Sequence, residues 1–591
     1  MKKNTSVAIF FRAVAHTTKA TPIAGTLSLF YNIIEGLFPA FITSVSALLF
    51  DIVSKYLNGS ASVNGIYWYG GLFLLGYAVK QLFQYISSIT INAGVYEKVT
   101  SISNRKLYEK CASLPLIDYE NSDTMNRKVR AAECVNREIV SQLYMMNVTM
   151  VMSVMGIISV VAVLSRYSLW FIPISLFSIL PYFIVRLLRG KEFYRLKKQQ
   201  VKKERYKDYL WSLITNKQSV KEMRIMGFGD YIVKQWMYYR DDVNEEMWKL
   251  VKKDSLSLLI CDFIRILGYG ICIAISFALT INDKISVGVF GACITAFASV
   301  QNQTKSFLIE LGGMPEKINY AKDYFSFIDA EEDGNKNAFH EVGEIQKIEL
   351  QEVGFCYPNS DHQALKGVSI QISPGEKIAI IGENGSGKTT LAKLLMGIYK
   401  PDTGHVSING VAIQDLERNS YLKKISLISQ SFVRYCMTLR ENVAISNLEE
   451  LPNDSAIRDA LSDANFRMED VSLELDTMLG KEFDGVELSG GQWQKIAIAR
   501  GIFKESEVII MDEPTSAIDP IAETEILKAF LEIAKNKTAI IISHRTGLCT
   551  LVDKIAVMKE GNLVEYGSHD SLIKEDKEYA RMFHAQKQWY V

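Results

Sequence analysis

Nine consecutive residues in the second half of the chain have the side chains and spacing needed to bind phosphate. They are Gly382, Glu383, Asn384, Gly385, Ser386, Gly387, Lys388, Thr389 and Thr390, which fit the pattern G-x-x-x-x-G-K-[ST] without a mismatch. Apolar runs on both sides predict a strand before this stretch and a helix after it. Glycines let backbone N–H groups close around phosphate oxygens, the Lys388 ammonium can reach the β- and γ-phosphates, and the Thr389 hydroxyl can bind Mg²⁺. The stretch therefore predicts a nucleoside triphosphate site rather than a plain glycine-rich turn.

Residues elsewhere in the same half are suited to chemistry on such a nucleotide. Tyr357 stands at a strand edge, where its ring can stack on adenine, and Gln430 follows an apolar strand and can reach a metal or a water beside the γ-phosphate. The apolar run VIIMDE delivers Asp512 for Mg²⁺ and Glu513 to polarise an attacking water, and His544 ends a further strand as a γ-phosphate contact. The expected catalytic residues are Glu513, His544 and Gln430, and the expected metal ligands are Thr389, Gln430 and Asp512. These patterns predict ATP hydrolysis with Mg²⁺.

The composition of the whole chain indicates a membrane protein with more than one domain. It has 591 residues, of which 48% are hydrophobic, and its mean hydropathy is +0.07. Residues 1–339 carry 39 Lys and Arg against 28 Asp and Glu, whereas residues 340–591 carry 27 against 38. Because the basic half is also the apolar half, it favours loops beside an anionic lipid leaflet, and no nucleic-acid partner is expected. The eight scattered cysteines predict neither a zinc site nor a disulfide framework.

Six stretches are long and apolar enough to cross a bilayer core, which takes about 20 helical residues. They are residues 25–53, 66–93, 139–164, 169–188, 256–280 and 286–308. Residues 1–24 favour a helix lying on the membrane surface over a cleaved signal peptide, because Arg12 interrupts their apolar run. The predicted domains are thus 1–24, a transmembrane domain over 25–311, a polar linker over 312–339 and a soluble domain over 340–591.

Positive charge in the connections predicts the orientation in the membrane. The N-terminal segment and the long loops 94–138 and 189–254 carry 4, 8 and 17 Lys and Arg, whereas the other connections are short. The positive-inside rule therefore places both termini and both long loops in the cytoplasm. These loops keep apolar residues at helical spacing, so we expect the spanning helices to continue beyond the membrane.

Two ionisable residues, Glu35 and Lys80, fall inside the predicted spans, where a charge is costly without a partner or a wet cavity. Counting about 1.5 Å per residue puts them at similar depths in neighbouring spans. They are candidates either for a functional pair in the cavity or for ordinary polar lining of a vestibule. Asp262 and Arg265, three residues apart, are expected to form a local ion pair.

A further stretch of the soluble half makes a family resemblance specific: it is LSGGQ, formed by Leu488, Ser489, Gly490, Gly491 and Gln492. With Tyr357, the phosphate-binding stretch, Gln430, Glu513, the loop containing Ser516 and Asp519, and His544, it resembles the nucleotide-binding domain of ABC transporters. The six spans resemble the membrane half of exporter-type members, so the resemblance covers nearly the whole chain.

This resemblance implies an α-helical six-span membrane domain followed by an α/β P-loop ATPase domain with an antiparallel β subdomain. It also implies a plasma-membrane half-transporter in which each ATP lies between the P-loop of one chain and the LSGGQ of a second. Because no catalytic position here is degenerate, a homodimer with two competent sites is favoured over the catalytic member of an asymmetric pair. Residues 113–129 and 215–228 resemble the coupling segments of exporters.

The cargo is predicted from weaker features. The motor resembles that of lantibiotic and related peptide exporters, most distinctively at Trp493, so a peptide or peptide-like amphiphile is expected. Alternatives are a multidrug or lipid exporter, an importer with exporter architecture and a non-transporting regulatory ATPase. No peptidase domain is expected before the first span. Pocket candidates, each of which could equally be packing between helices, are Tyr69, Tyr77, Tyr85, Tyr144, Met145, Met146, Phe297 and Gln301.

Overall fold

The computed structural model describes residues 6–330, 340–358, 360–512, 530–531 and 534–587. The chain divides into two compact units, each treated separately below. The first comprises Met1–Ala112 and Asn126–Ala330, and the second comprises Ser113–Met125 and Glu331–Val591. The short segment Ser113–Met125, from the first predicted cytoplasmic loop, thus belongs with the soluble domain.

Residues 6–330 are helical wherever they form regular structure. Their α-helices are α1 (Ser6–Ala20), α2 (Pro22–Leu57), α3 (Val63–Ile91), α4 (Glu97–Ser113), α5 (Ser122–Asn136), α6 (Ile139–Ser165), α7 (Phe171–Thr215), α8 (Lys217–Met226), α9 (Gly229–Ile281) and α10 (Val287–Ile328). Each of the six predicted spans overlaps one of α2, α3, α6, α7, α9 and α10. Among the described residues, α2, α6 and α9 are long and apolar enough, by length and composition alone, to cross a membrane.

The helices are longer than their apolar parts. α7 has 45 residues and α9 has 53, which correspond to about 68 and 80 Å at about 1.5 Å per residue, against about 30 Å for a bilayer core. The predicted loop 189–254 therefore consists mostly of the charged ends of α7 and α9, together with α8. α4 and α5 occupy much of the loop 94–138.

The predicted linker of residues 312–339 is wrong in its first part, because α10 continues to Ile328. Ile318, Ala321, Tyr324 and Phe325 recur at helical spacing and are buried. This apolar stripe keeps the segment helical despite its polar composition and the glycines at its start. The rest of the predicted linker, residues 331–339, lies outside the described residues.

The spanning helices pack closely through small and polar residues. A Cβ at Gly36 of α2 would lie 2.7 Å from the carbonyl oxygen of Met152 of α6, so only glycine permits this approach. The Tyr144 hydroxyl donates a hydrogen bond to the carbonyl of Gly25 and lies 2.7 Å from the Ser28 hydroxyl. α2 and α6 are thereby held together along much of their length.

The second unit contains two sheets with α-helices around them. Its strands are β1 (Ile348–Cys356), β2 (Gln363–Ile372), β3 (Lys377–Gly382), β4 (Thr403–Ile408), β5 (Val411–Ala412), β6 (Ile425–Ile428), β7 (Val508–Asp512), β8 (Thr538–Ser543), β9 (Lys554–Lys559) and β10 (Asn562–Gly567). Its described α-helices are α11 (Lys388–Leu395), α12 (Arg418–Lys423), α13 (Leu439–Ala444), α14 (Asp454–Asp463), α15 (Gly490–Phe503), α16 (His569–Glu575) and α17 (Glu578–Lys587).

The larger sheet has the order β10-β9-β3-β8-β7-β6, and its strands are parallel except for β10. The smaller sheet has the order β2-β1-β4-β5 and is antiparallel. The predicted α/β domain with an antiparallel β subdomain is confirmed.

The central strands are continuous apolar runs because helices or sheet cover both of their faces. In β3, Ile378 and Ile380 pack into one hydrophobic cluster, whereas Ala379 and Ile381 pack into another. This alternation follows from the two-residue period of a strand. Such a doubly covered sheet is a rigid support for the residues that follow its strands.

Candidate nucleotide-binding site

The predicted site residues follow four neighbouring parallel strands. The phosphate-binding stretch begins at the end of β3, His544 follows β8, Asp512 ends β7 and Gln430 lies two residues beyond β6. Because β3, β8, β7 and β6 are adjacent in that order, their carboxyl ends share one edge of the sheet. That edge is where open α/β sheets bind ligands.

The phosphate-binding stretch has a backbone that requires glycine. Gly387 has φ +101°, and a Cβ there would lie 2.7 Å from the carbonyl oxygen of Ala364. The Lys388 ammonium donates hydrogen bonds to the carbonyls of Gly382 and Glu383, at 2.9 and 3.0 Å. The lysine is therefore curled over the loop, with its charge where phosphate oxygens would lie. The structure fits a P-loop that binds a nucleoside triphosphate.

A cleft of about 530 Å³ opens beside this loop. Its lining includes Tyr357, Asn384, Lys388, Thr389 and Gln430, so aromatic, cationic and metal-binding groups surround one space. The Tyr357 hydroxyl lies 3.0 Å from the Thr390 hydroxyl, which fixes the ring at the edge of the P-loop helix. This arrangement suits a nucleotide whose base stacks on the tyrosine and whose phosphates reach the loop.

The donor set also fits Mg²⁺. Asp512 is buried at the end of β7, with 8% of its surface exposed. Among the described residues, no cluster of three or more His, Cys, Asp and Glu side chains could hold a metal ion. Thr389, Gln430 and Asp512 would instead supply oxygen ligands, with water and phosphate oxygens completing the shell. This mixed shell is typical of Mg²⁺.

The LSGGQ stretch forms the start of α15. The Ser489 hydroxyl accepts a hydrogen bond from the Gln492 N–H at 3.3 Å, and the Gln492 side-chain oxygen accepts one from the Ser489 N–H at 2.8 Å. These two reciprocal hydrogen bonds form a capping box. Gly490 and Gly491 occupy the first turn of a 14-residue helix, and Leu488 is buried. The helix N-terminus thus presents backbone N–H groups suited to an anion.

Three predicted residues, Glu513, Ser516 and Asp519, lie outside the described residues. His544 is described and exposed, and its carbonyl accepts a hydrogen bond from the Gln586 side chain at 2.6 Å. Sequence reasoning missed Gln586. The pattern that could have indicated it is a single polar residue on the otherwise apolar face of α17.

Sequence reasoning also missed Glu120, which joins residues 113–125 to the adenine side of the site. The Tyr399 hydroxyl donates a hydrogen bond to Glu120 at 2.9 Å, and the Lys393 ammonium lies 3.7 Å from the same carboxylate oxygen. Lys393 also donates to the Tyr399 hydroxyl at 3.2 Å and lies 5.7 Å from the Tyr357 ring centroid. Burial raises the pKa of Tyr399, so its hydroxyl stays protonated and able to donate. A continuous chain of contacts therefore connects Glu120 to the expected adenine-stacking ring.

In the helical unit, Glu35 of α2 and Lys80 of α3 are both half-buried. The Lys80 charge acts electrostatically on Glu35, but no ion pair joins these two described residues within 4.0 Å. Asp262 and Arg265 do form the expected ion pair at 3.2 Å, which Lys305 extends at 3.6 Å from Asp262.

Several of the pocket candidates instead stabilise helix packing. Tyr144, Met146, Phe297 and Gln301 are buried, and the Gln301 amide donates to the carbonyl of Arg265. Tyr77 and Tyr85 of α3 are exposed at 47% and 62%.

Comparison with known proteins places these features in one family. A family profile described as ABC transporter matches residues 365–516, and one described as ABC transporter transmembrane region matches residues 26–304. The chain is 32% identical over 487 residues to the subtilin transport ATP-binding protein SpaT of Bacillus subtilis, covering 81% of this chain and 78% of that one. It is 29% identical over 575 residues to the nisin transport ATP-binding protein NisT of Lactococcus lactis subsp. lactis, covering 94% and 93%.

Further similarities extend to a lipid transporter and to a solved structure. The ATP-dependent lipid A-core flippase of Pasteurella multocida is 28% identical over 541 residues, covering 89% of this chain and 90% of that one. The structure of a bacterial Atm1-family ABC exporter with ATP bound matches with a TM-score of 0.78 at 21% identity, over 96% and 98% of the two chains. That match shows a shared fold.

The chain therefore belongs to the ABC transporter family, which confirms the resemblance drawn from the motifs. It is a membrane protein with a cytoplasmic ATPase domain that binds ATP and couples its hydrolysis to transport. The predicted ATPase activity is confirmed in the same way.

Proposed function

We propose that this protein exports a peptide or peptide-like amphiphile from the cell, driven by ATP. The observation that carries the proposal is the similarity, over most of the chain, to proteins named for the transport of subtilin and nisin. Trp493, which motivates the same prediction from sequence, is buried in the domain core. Trp493 therefore supports a relationship between the ATPase domains, because it lies in the core of that domain and not in a cargo cavity.

The working unit is proposed to be a homodimer with two equivalent ATP sites. Lys388 neutralises phosphate charge, and Thr389, Gln430 and Asp512 would hold Mg²⁺, which would supply further charge neutralisation. Glu513 orients and deprotonates the attacking water, and His544 contacts the γ-phosphate. The N-terminus of α15, with Ser489 at its cap, completes the site on a second copy of the chain.

The membrane part is proposed to have six spans, α2, α3, α6, α7, α9 and α10, with both termini in the cytoplasm. The positive charge of the N-terminal segment and of the two long loops supports this orientation. The plasma membrane is the proposed location. Alternating access would then move cargo between inward-open and outward-open states.

Coupling between ATP and the membrane part is proposed to use residues 113–125. Glu120 supports this role, because it contacts Tyr399 and Lys393 beside the adenine-stacking Tyr357. A change at the nucleotide can thereby reach a segment that is continuous in sequence with α4 and α5.

Lipid export is the second candidate, favoured by the similarity to lipid A-core flippases. An apolar groove of about 300 Å³ between α2 and α3 would suit acyl chains. Its lining consists of Ile34, Leu37, Phe38, Phe41, Leu72, Leu75, Gly76 and Val79.

The test is cargo-stimulated ATPase activity of the purified full chain in lipid vesicles. Leader-bearing and modified peptides, bacterial lipids and hydrophobic drugs would be screened side by side, with the Lys388→Ala chain as the inactive control. Stimulation by peptides alone is expected. Stimulation confined to lipids would favour the second candidate.

A further inference from the structure

The C-terminal helix α17 makes three hydrogen bonds to the loop that carries His544. The Gln586 side-chain nitrogen donates to the carbonyl of His544 at 2.6 Å. The Gln586 side-chain oxygen accepts from the Thr546 N–H at 2.7 Å and from the Thr546 hydroxyl at 3.0 Å. The amide nitrogen donates to a carbonyl, and the amide oxygen accepts from an N–H and a hydroxyl, so these partners fix the orientation of the Gln586 amide.

Gln586 lies on the face of α17 that packs into the domain. Tyr579, Met582, Phe583 and Gln586 have the spacing i, i+3, i+4 and i+7 of one helix face. Tyr579 is fully buried, and Met582 and Phe583 pack against the hydrophobic core. A glutamine at the end of an otherwise apolar stripe needs partners, and the His544 loop supplies them.

α17 is itself held firmly. The Glu565 carboxylate accepts hydrogen bonds from the N–H groups of Glu578 and Tyr579 at its first turn, and His569 Nδ1 lies 2.6 Å from the Tyr579 hydroxyl. The helix also meets the P-loop, because Arg581 lies 3.3 Å from the Glu383 carboxylate. A helix anchored in this way can serve as a fixed support for the loop.

The three bonds flank one residue, Arg545, and hold the backbone on both of its sides. The orientation of the His544 ring depends on that backbone, since the loop follows directly from β8. We infer that Gln586 is a positioning residue for ATP hydrolysis, which sets the direction of His544 toward the γ-phosphate through the main chain. This inference rests on the proposed role of His544.

The test measures kcat and KM for ATP with the purified full chain in lipid. Gln586→Ala is expected to lower kcat about tenfold, as three lost hydrogen bonds allow, with KM changed less than about twofold. Gln586→Glu keeps the acceptor but turns a carboxylate oxygen toward the His544 carbonyl, so it should be as poor as alanine. His584→Ala, on the exposed side of the same helix, is the matched control and should behave like the unmodified chain.

A double-substitution cycle separates this inference from the role of His544. In a His544→Ala background, Gln586→Ala should cause no further loss of kcat. The inference is overturned if Gln586→Ala lowers kcat as much in the His544→Ala background as it does in the unmodified chain. It is also overturned if Gln586→Glu has normal kcat, or if Gln586→Ala alone has normal kcat. Near-normal turnover by His544→Ala alone would overturn the proposed role of His544 and this inference with it.

Thermal unfolding checks that the fold survives. Should Gln586→Ala unfold at a clearly lower temperature, Thr546→Val gives the answer instead, because it removes only the hydroxyl bond and keeps the side-chain shape. A smaller drop in kcat, again at unchanged KM, is then expected. An unchanged kcat would count against the inference.

Discussion

Removing the Glu120 carboxylate should uncouple ATP hydrolysis from transport. In Glu120→Ala, the Tyr399 hydroxyl loses a hydrogen bond to a charged acceptor, and Lys393 loses an ion-pair partner 3.7 Å away. Because the Glu120 side chain is 47% exposed, the hydrogen bond is worth about 1.5 kcal/mol, the low end for charged partners, and the ion pair about 0.5 kcal/mol. Together they amount to about 2 kcal/mol, or roughly a 30-fold shift toward release of residues 113–125 from the domain.

The assay compares basal ATPase, cargo-stimulated ATPase and cargo moved per ATP in lipid vesicles. Basal ATPase should change little, because Glu120 touches neither the P-loop glycines nor the expected catalytic residues. Cargo stimulation should fall strongly, and Glu120→Gln should be intermediate because its amide oxygen still accepts from Tyr399. Asp118→Asn is the control: it makes the same charge change in the same segment, and Asp118 has no side-chain hydrogen bond or ion pair among the described residues. Normal coupling in Glu120→Ala, or basal activity falling as far as transport, would contradict a coupling role for Glu120.

Three further predictions concern the site and the membrane part. Glu513→Gln should bind ATP yet hydrolyse it very slowly, and near-normal turnover measured by phosphate release would refute the assigned base. Ser489→Arg and Lys388→Ala chains should each be inactive alone, but a mixed dimer of the two should have one working ATP site. If mixed dimers show no ATPase activity, either the head-to-tail arrangement is wrong or the two sites cannot work singly. Reversing the charge of Glu35 or Lys80 alone should impair transport in vesicles, and the double reversal should recover part of it, whereas strictly additive losses would indicate ordinary vestibule lining.

The motor was predictable because its chemistry is encoded locally. Gly387 needs its positive φ and its close approach to Ala364 wherever the P-loop occurs, and LSGGQ is a signature of five consecutive residues. The contacts of Glu120 and Gln586 were not predictable, since they join residues 279 and 42 positions apart in the chain. Nothing in a short stretch of sequence specifies such partners.

The helices of the membrane part were predictable from the sequence, but which face of each helix packs against its neighbours was not. Apolar length places each span within a helix, yet Tyr144 and Phe297 are buried in helix packing rather than available to a cargo. Rotation of a helix is decided by contacts with its neighbours, such as the close approach at Gly36, and these are spread over distant parts of the chain. The end of α10 was missed for a related reason. Its composition is polar on average, and the helix is stabilised there by burial of a few side chains such as Tyr324 and Phe325.

ATP-driven export of a peptide can be measured as transport into inside-out membrane vesicles that contain the full chain. A leader-bearing or modified peptide is expected to accumulate inside the vesicles with ATP, and Lys388→Ala is expected to abolish this accumulation. ATP-dependent accumulation of a lipid or hydrophobic dye, without competition from any such peptide, would contradict peptide export.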